Sequence, residues 1–302
     1  MNNSPIVQPV RPARDRASHG LADYWELTKP RIAMLVMLTS ATGFVLASPP
    51  ALDWWRLLHT LIGTALTAGG AGALNMLLER QADGRMRRTM SRPLPAGRVL
   101  PVQALRLGVS LGVAGVFYLS AAVNPLAGLL AALTLITYVV LYTPLKSRTS
   151  LSTLVGAVPG ALPAVGGWAA ARGDVAFEAW TLFIIVFLWQ MPHFFALAWM
   201  YRDDYRRGGF TLLPMGDREG LDTAKQILTF SLALVPASLA PALVGLSGPL
   251  YFFGALACGL AFAAYAARFS TAMTNNAARR FFRVSVWYLP VVLGLLMLSK
   301  PG

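Results

Sequence analysis

The stretch Arg56 to Arg92, RLLHTLIGTALTAGGAGALNMLLERQADGRMRRTMSR, decides how the chain is read. Its apolar run over residues 56–79 is long enough as a helix to cross roughly 30 Å of hydrocarbon, which takes about 20 residues. It then passes without a break into a segment crowded with arginine. Gly69, Gly70 and Gly72 within the run allow close approach of a neighbouring helix. Working outward, eight more such runs occupy 31–48, 102–121, 124–142, 151–170, 178–200, 224–245, 249–267 and 282–299. The fifth of the nine spans carries Gly156, Gly160, Gly166 and Gly167, and Pro159 and Pro163, which are expected to kink it. The expected fold class is all-α, a polytopic membrane bundle of nine transmembrane helices. Composition agrees: the 302 residues are 56% hydrophobic and 13% charged, with mean hydropathy +0.55, and soluble domains carry about twice that charged fraction.

The basic residues orient the bundle. All but Arg56, Arg172 and Lys300 of the 26 Lys and Arg fall in alternate connections, namely the amino-terminal segment and the loops after spans two, four, six and eight. The positive-inside rule then places the amino terminus in the cytoplasm and, after nine crossings, the carboxyl terminus outside. The formal charge of +13 is therefore topological, with the lipid bilayer as partner and no nucleic acid. Residues 1–28 read as a disordered cytoplasmic tail and 29–302 as the nine-helix domain; no cleavable signal peptide is visible. A single cysteine, Cys258, excludes a disulfide framework.

Acidic residues concentrate on the same side. Asn75, Glu79 and Asp83 recur every fourth residue at the inner end of the second span, and on a helix that spacing stacks three oxygens along one face. Such a ladder suits Mg²⁺, which takes carboxylates, waters and a substrate's phosphates. Solvated acids paired with Arg80 or Arg85 are the competing reading; an amide inside an apolar helix end favours a ligand. A second group, Asp203 and Asp204 between Tyr201 and Tyr205, follows the sixth span and by itself reads equally as an interfacial anchor. If the two groups share a face, two Mg²⁺ ions between them can carry one diphosphate. Arg88, Arg92, Lys146 and Arg148 can then grip its outer oxygens. A site of this kind ionises an allylic diphosphate while an apolar cavity excludes water.

Three stretches carry a resemblance: NMLLERQADGRMRRTMSRPLPAGR from Asn75, YTPLKSRTSLSTLVGAVPGALPAVGGWAAARG from Tyr142, and FLWQMPHFFALAWMYRDDYRRGGFTLLP from Phe187. In this order they resemble the intramembrane prenyltransferases of the UbiA superfamily, and within it the branch that farnesylates protohaem IX to haem O. The resemblance implies farnesyl diphosphate and haem b as substrates and Mg²⁺ as cofactor. It implies the bacterial cytoplasmic (inner) membrane as location, an active site facing the cytoplasm, and handover to a haem A synthase or terminal oxidase. By position it gives one Mg²⁺ to Asn75, Glu79 and Asp83 and the other to Asp204 with Asp203. Diphosphate binding falls to Arg88, Arg92, Lys146, Arg148, Tyr142 and Tyr205, and the residues at the reacting centre are Asn75, Asp83, Asp204 and Lys146. Departures are Glu79 for the more usual Asp, Ser152 for Asn and Ala164 for Pro.

Of three histidines, His19 lies in the tail and His59 at an outer helix end. His193, after Pro192 and roughly 15 Å along the sixth span from Asp203, is the candidate haem contact; a histidine bonded to a carbonyl freed by the proline is the alternative. Trp54, Trp55, Trp180 and Tyr251 read as an outer aromatic belt. Two other functions compete: a related prenyltransferase with an aromatic, quinone-precursor acceptor, and a secondary transporter. The latter calls for buried acids in broken helices, whereas these acids sit at helix ends.

Overall fold

A computed structural model describes residues 20–301, and among them every regular element is helical. The helices are α1 (Leu21–Leu27), α2 (Pro30–Ala47), α3 (Trp54–Arg85), α4 (Pro101–Ala122), α5 (Pro125–Ile136), α6 (Thr143–Leu145) and α7 (Ser152–Arg172). They continue as α8 (Phe177–Met200), α9 (Arg202–Gly208), α10 (Leu213–Gly216), α11 (Leu221–Leu243), α12 (Pro249–Ala272) and α13 (Asn275–Leu298). A π-helical turn, Thr137–Tyr142, joins α5 to α6. Counting Pro125–Leu145 as one, nine of the described helices are long and apolar enough to cross a membrane, at the positions the hydropathy gives.

Helix starts follow from local chemistry. Asp53 accepts from the Arg56 amide at 2.9 Å to open α3, and Asn124 accepts from the Ala127 amide at 2.8 Å to open α5. Pro30, Pro101, Pro125 and Pro249 occupy first turns, where the missing N–H costs nothing. Pro159 and Pro163 both lie inside an unbroken α7.

Close packing rests on small residues. A Cβ on Gly167 of α7 would stand 1.8 Å from the Ser40 carbonyl oxygen of α2, and one on Gly70 of α3 would stand 2.5 Å from the Gly112 amide of α4. Backbones can approach this far only without a side chain. The main core lies among α7, α8 and α11–α13, around Trp168, Trp189, Phe262, Phe269 and Phe281.

Two boundaries and one belt assignment differ from the sequence reading. Residues 21–27 of the expected tail form α1, which buries Leu27 and ties Asp23 to Arg98 at 2.8 Å; the rest of that tail, 1–19, including His19, lies outside the described residues. Helix α13 starts at Asn275, before the apolar run at 282, because Thr274 caps a first turn of Asn and Ala that leads into Arg279 and Arg280. Tyr251 is no belt residue: it is fully buried, and its hydroxyl donates to the Ser238 carbonyl at 2.6 Å. Trp54, Trp55 and Trp180 are exposed as a belt requires.

The basic connections gather at one end. The Thr211 amide donates to the Lys146 carbonyl at 2.8 Å, and the Arg87 amide to Asp204 at 3.3 Å. Alternate loops therefore touch, and they enclose the mouth of the main cavity.

Candidate active site

The ladder on α3 is present. Asn75, Glu79 and Asp83 are buried, with Asp83 only 1% exposed, and all three line a cavity of about 420 Å³. Each has its own cation. Lys146 Nζ lies 2.7 Å from Glu79 Oε1, Arg92 Nη1 lies 2.8 Å from Asp83 Oδ2, and Lys29 Nζ donates to Asn75 Oδ1. The Asn75 amide nitrogen donates to Thr143 Oγ1 at 3.0 Å, and that hydroxyl in turn donates to the Tyr138 carbonyl inside the π turn at 2.9 Å. The ladder is thus anchored to a neighbouring span.

Lys29 is one of the basic residues of the amino-terminal segment that orient the bundle. It precedes Pro30 in left-handed backbone, φ 51°, an uncommon state for a residue with a side chain, and this aims the ammonium at Asn75. Burial draws that ammonium from the usual 10.5 to about 7, against the pull of Glu79. Burial opposes the charge on Lys146 most strongly, but Glu79 together with Tyr142 and Tyr138 outweighs it and holds the Lys146 ammonium well above its ordinary value. The sequence signal for Lys29 was a lysine fixed directly before a proline at the start of the first span.

One atom of the ladder is left over. Asp83 Oδ1 is buried and has no hydrogen-bond partner, although buried polar atoms are normally satisfied. Two carboxylates, one of them with an open acceptor, and one amide oxygen form a donor set that fits a hard divalent cation. Among the described residues no three His, Cys, Asp or Glu side chains converge, so the ladder alone offers two acids rather than a complete protein cage. Mg²⁺ habitually takes such partial sites and completes them with water and phosphate.

The second acidic group is built differently from the expectation. Asp204 is buried, but its oxygens accept from the Arg87 and Arg88 amides at 3.3 and 3.2 Å and from the Arg207 side chain. It fixes the loop after α3 rather than offering free lone pairs to the cavity. Asp203 has a side chain 76% exposed, 3.8 Å from Arg206, and Arg148 is exposed and off the cavity wall. These residues in their present places do not fit a second metal. Arg88, held by Asp204 through its backbone, donates to Tyr205 Oη at 3.1 Å and lies over the Tyr201 and Tyr205 rings. Lys146 Nζ stands 4.6 Å over the Tyr142 ring, which lies against Gly156, where a Cβ would be 2.4 Å from the ring. Arg88, Arg92, Lys146, Tyr142 and Tyr205 all line the cavity.

The same cavity continues inward to Trp189, Gln190, His193 and Phe194. The His193 ring stacks between Trp189 and Phe282, with centroids 4.9 and 4.6 Å away, and its Nδ1 is 2.7 Å from Ser285 Oγ. Ser285 Oγ already donates to the Phe282 carbonyl at 2.7 Å, and a hydroxyl has one proton to give. It must therefore accept from Nδ1–H, which assigns the tautomer and leaves the Nε2 lone pair on the other side of the ring. The bond is to a serine, not to a carbonyl freed by Pro192. Trp189 donates to the Ser285 carbonyl at 2.8 Å, so α13 fixes this wall, a feature no local pattern in α8 announces. His59 instead pairs with Tyr118 Oη at 2.6 Å, away from the cavity.

Comparison with known proteins identifies the fold and the family. A protein of Solibacter usitatus named protoheme IX farnesyltransferase is 47% identical over 291 residues, covering 93% of this chain and all of its own. A solved digeranylgeranylglyceryl phosphate synthase superposes with TM-score 0.77 at 16% identity, covering 92% of this chain and 98% of its own. A UbiA homolog from Archaeoglobus fulgidus bound to GPP and Mg²⁺ superposes with TM-score 0.63 at 16% identity, covering 91% and 99%; at such identities these two speak for the fold alone. The model of the UbiA prenyltransferase family matches residues 36–289, and the chain therefore belongs to the UbiA prenyltransferase family.

Proposed function

We propose that this enzyme transfers a farnesyl group from farnesyl diphosphate to a vinyl group of haem b, with water completing the hydroxyethylfarnesyl side chain of haem O. The observation that carries the reading is one cavity joining the Asn75–Glu79–Asp83 ladder and its three cations to His193. The name of the Solibacter usitatus relative, at 47% identity over nearly the whole chain, points to the same reaction.

Within this reading Asn75, Glu79 and Asp83 hold Mg²⁺, as the Archaeoglobus fulgidus homolog bound to GPP and Mg²⁺ encourages. Bound there, the ion neutralises charge on the departing diphosphate. Lys29, Arg92, Lys146 and Arg88 supply donors for the phosphate oxygens, and Tyr142 and Tyr205 add hydrogen bonds. Asp204 contributes by holding the Arg88 backbone. The allylic cation forms beside an apolar wall that keeps water from quenching it early. His193, its Nδ1 proton committed to Ser285, presents Nε2 to the haem. A histidine stacked in the cavity wall favours a metalloporphyrin acceptor over an aromatic acid. Charge asymmetry supports a cytoplasmic amino terminus, an outer carboxyl terminus and a site opening to the cytoplasmic face of a bacterial inner membrane. From there the product passes to a haem A synthase or a terminal oxidase.

The test is to incubate membranes containing the protein with haem b and farnesyl diphosphate, with Mg²⁺ or a chelator, and to weigh the extracted haem. A Mg²⁺-dependent haem carrying the hydroxyethylfarnesyl group is expected. Unchanged haem from folded protein refutes the assignment and returns the quinone-precursor acceptor.

A further inference from the structure

A second cavity of about 400 Å³ opens beside the first. Its wall includes Arg88, Arg279 and Arg283 with Leu197, Tyr201 and Phe282, and Arg88 and Leu197 belong to both cavities. Arg279 and Arg283 stand four residues apart on α13, so both guanidinium groups occupy one helix face. Like charges at that spacing repel, and they sit near the positive end of the helix dipole. Among the described residues neither makes an ion pair or side-chain hydrogen bond with the protein. Three arginines facing one concavity without a carboxylate form a site for paired anionic oxygens.

The connection to His193 selects the anion. Phe282, which walls the second cavity, stacks on the His193 ring, and Leu197 lies one turn beyond His193 on α8. Ser285, the partner of His193, is six residues after Arg279 on α13, roughly 9 Å along the axis. A flat molecule centred on His193 therefore lies within side-chain reach of the arginines. Resting on the haem acceptor reading above, we propose that Arg279 and Arg283 seat the two propionate carboxylates of the porphyrin, leaving Arg88, between the cavities, to the diphosphate. They thereby determine its orientation, with the vinyl edge, opposite the propionates, turned into the main cavity. A lipid headgroup phosphate shares this chemistry and is the alternative source of the anion.

The experiment compares protohaem IX with its dimethyl ester in nanodiscs, with farnesyl diphosphate and Mg²⁺, for the parent and R279Q/R283Q. The parent is expected to favour the free diacid in kcat/KM by about tenfold or more, the range of charge-assisted hydrogen bonds, and the variant's ratio to fall toward one. R279K/R283K, which keeps charge but loses the planar fork, should give an intermediate ratio. Turnover of the diester by the same preparation reports that the variant is folded. A parent that does not discriminate, or a variant that discriminates like the parent, overturns the proposal. A variant that keeps the ratio but loses a response to phosphatidylglycerol over phosphatidylcholine assigns the arginines to lipid and also overturns it. A parent that prenylates neither porphyrin removes the haem reading itself, and the propionate seat with it.

Discussion

Lys146 and Glu79 meet across two spans with Nζ 2.7 Å from Oε1, and both side chains are largely buried, 16% and 9% exposed. Breaking one side of such a pair strands the other charge, at a cost of about 3–5 kcal/mol, whereas replacing both is often close to neutral. Lys146→Met should therefore lower the thermal midpoint sharply, and Glu79→Gln combined with Lys146→Met should recover most of it. Neither protein should turn over. Recovery of stability without activity is what separates a site pair from a structural one, read by thermal unfolding in detergent beside the haem mass assay.

Asp83 gives the sharpest test of metal binding, because its Oδ1 has no partner while Oδ2 is held by Arg92. Asp83→Asn keeps the shape and removes the charge. Folding should suffer by about 2–3 kcal/mol, since Arg92 keeps a hydrogen bond but loses its counter-charge, while prenyl transfer falls at least a hundredfold, the scale of a lost metal contribution. Turnover near the parental rate at saturating Mg²⁺ would show that the ladder is not the metal site.

The two neighbouring acids after α8 should behave in opposite ways. Asp204→Ala orphans the Arg87 and Arg88 amides and the Arg207 side chain, so stability should drop by about 2 kcal/mol and activity with it. Asp203→Ala, at a position 76% exposed, should change neither measurably. A collapse of turnover in Asp203→Ala with unaltered folding would restore this residue to the metal site.

In the proposed reading, Ser285 acts on the haem through His193. Ser285→Ala frees the His193 tautomer, and outer-shell losses of this kind cost about tenfold or more in affinity. Haem titration followed by absorbance should show weaker binding in Ser285→Ala, with the donor's KM unmoved. His193→Ala should lose the spectral signature of nitrogen ligation altogether. A His193→Ala protein with parental haem spectra and turnover would make this histidine a packing residue.

The sequence showed the spans because the thickness of a bilayer imposes a length that nothing else in the chain needs. It showed the α3 ladder because a spacing of four on a helix survives any tertiary arrangement. Asp204 was visible as an acid, but its real partners are amides 116 and 117 residues away, and no local pattern encodes that meeting. Lys29 was hidden because a lysine beside the first span serves topology equally well. Tyr251 failed as a belt residue because the position of a tyrosine along a helix says nothing about which face of the helix it occupies. The serine that orients His193 comes from α13, five elements later, and only folding brings the two together.

The π turn at Thr137–Tyr142 sets the span that contains it apart from its neighbours. Such a turn holds more residues than an α-helical one and is found mostly at functional positions, so everything after it is rotated relative to the lipid-facing half. Deleting one residue there would leave the span long enough for the bilayer yet swing Thr143 away from Asn75 and Lys146 away from Glu79 by about 100°, the angle of one α-helical residue. The residue count of this span is therefore tied to its contacts with the α3 ladder as well as to the membrane, and a length variant among its relatives should carry a compensating change on α3.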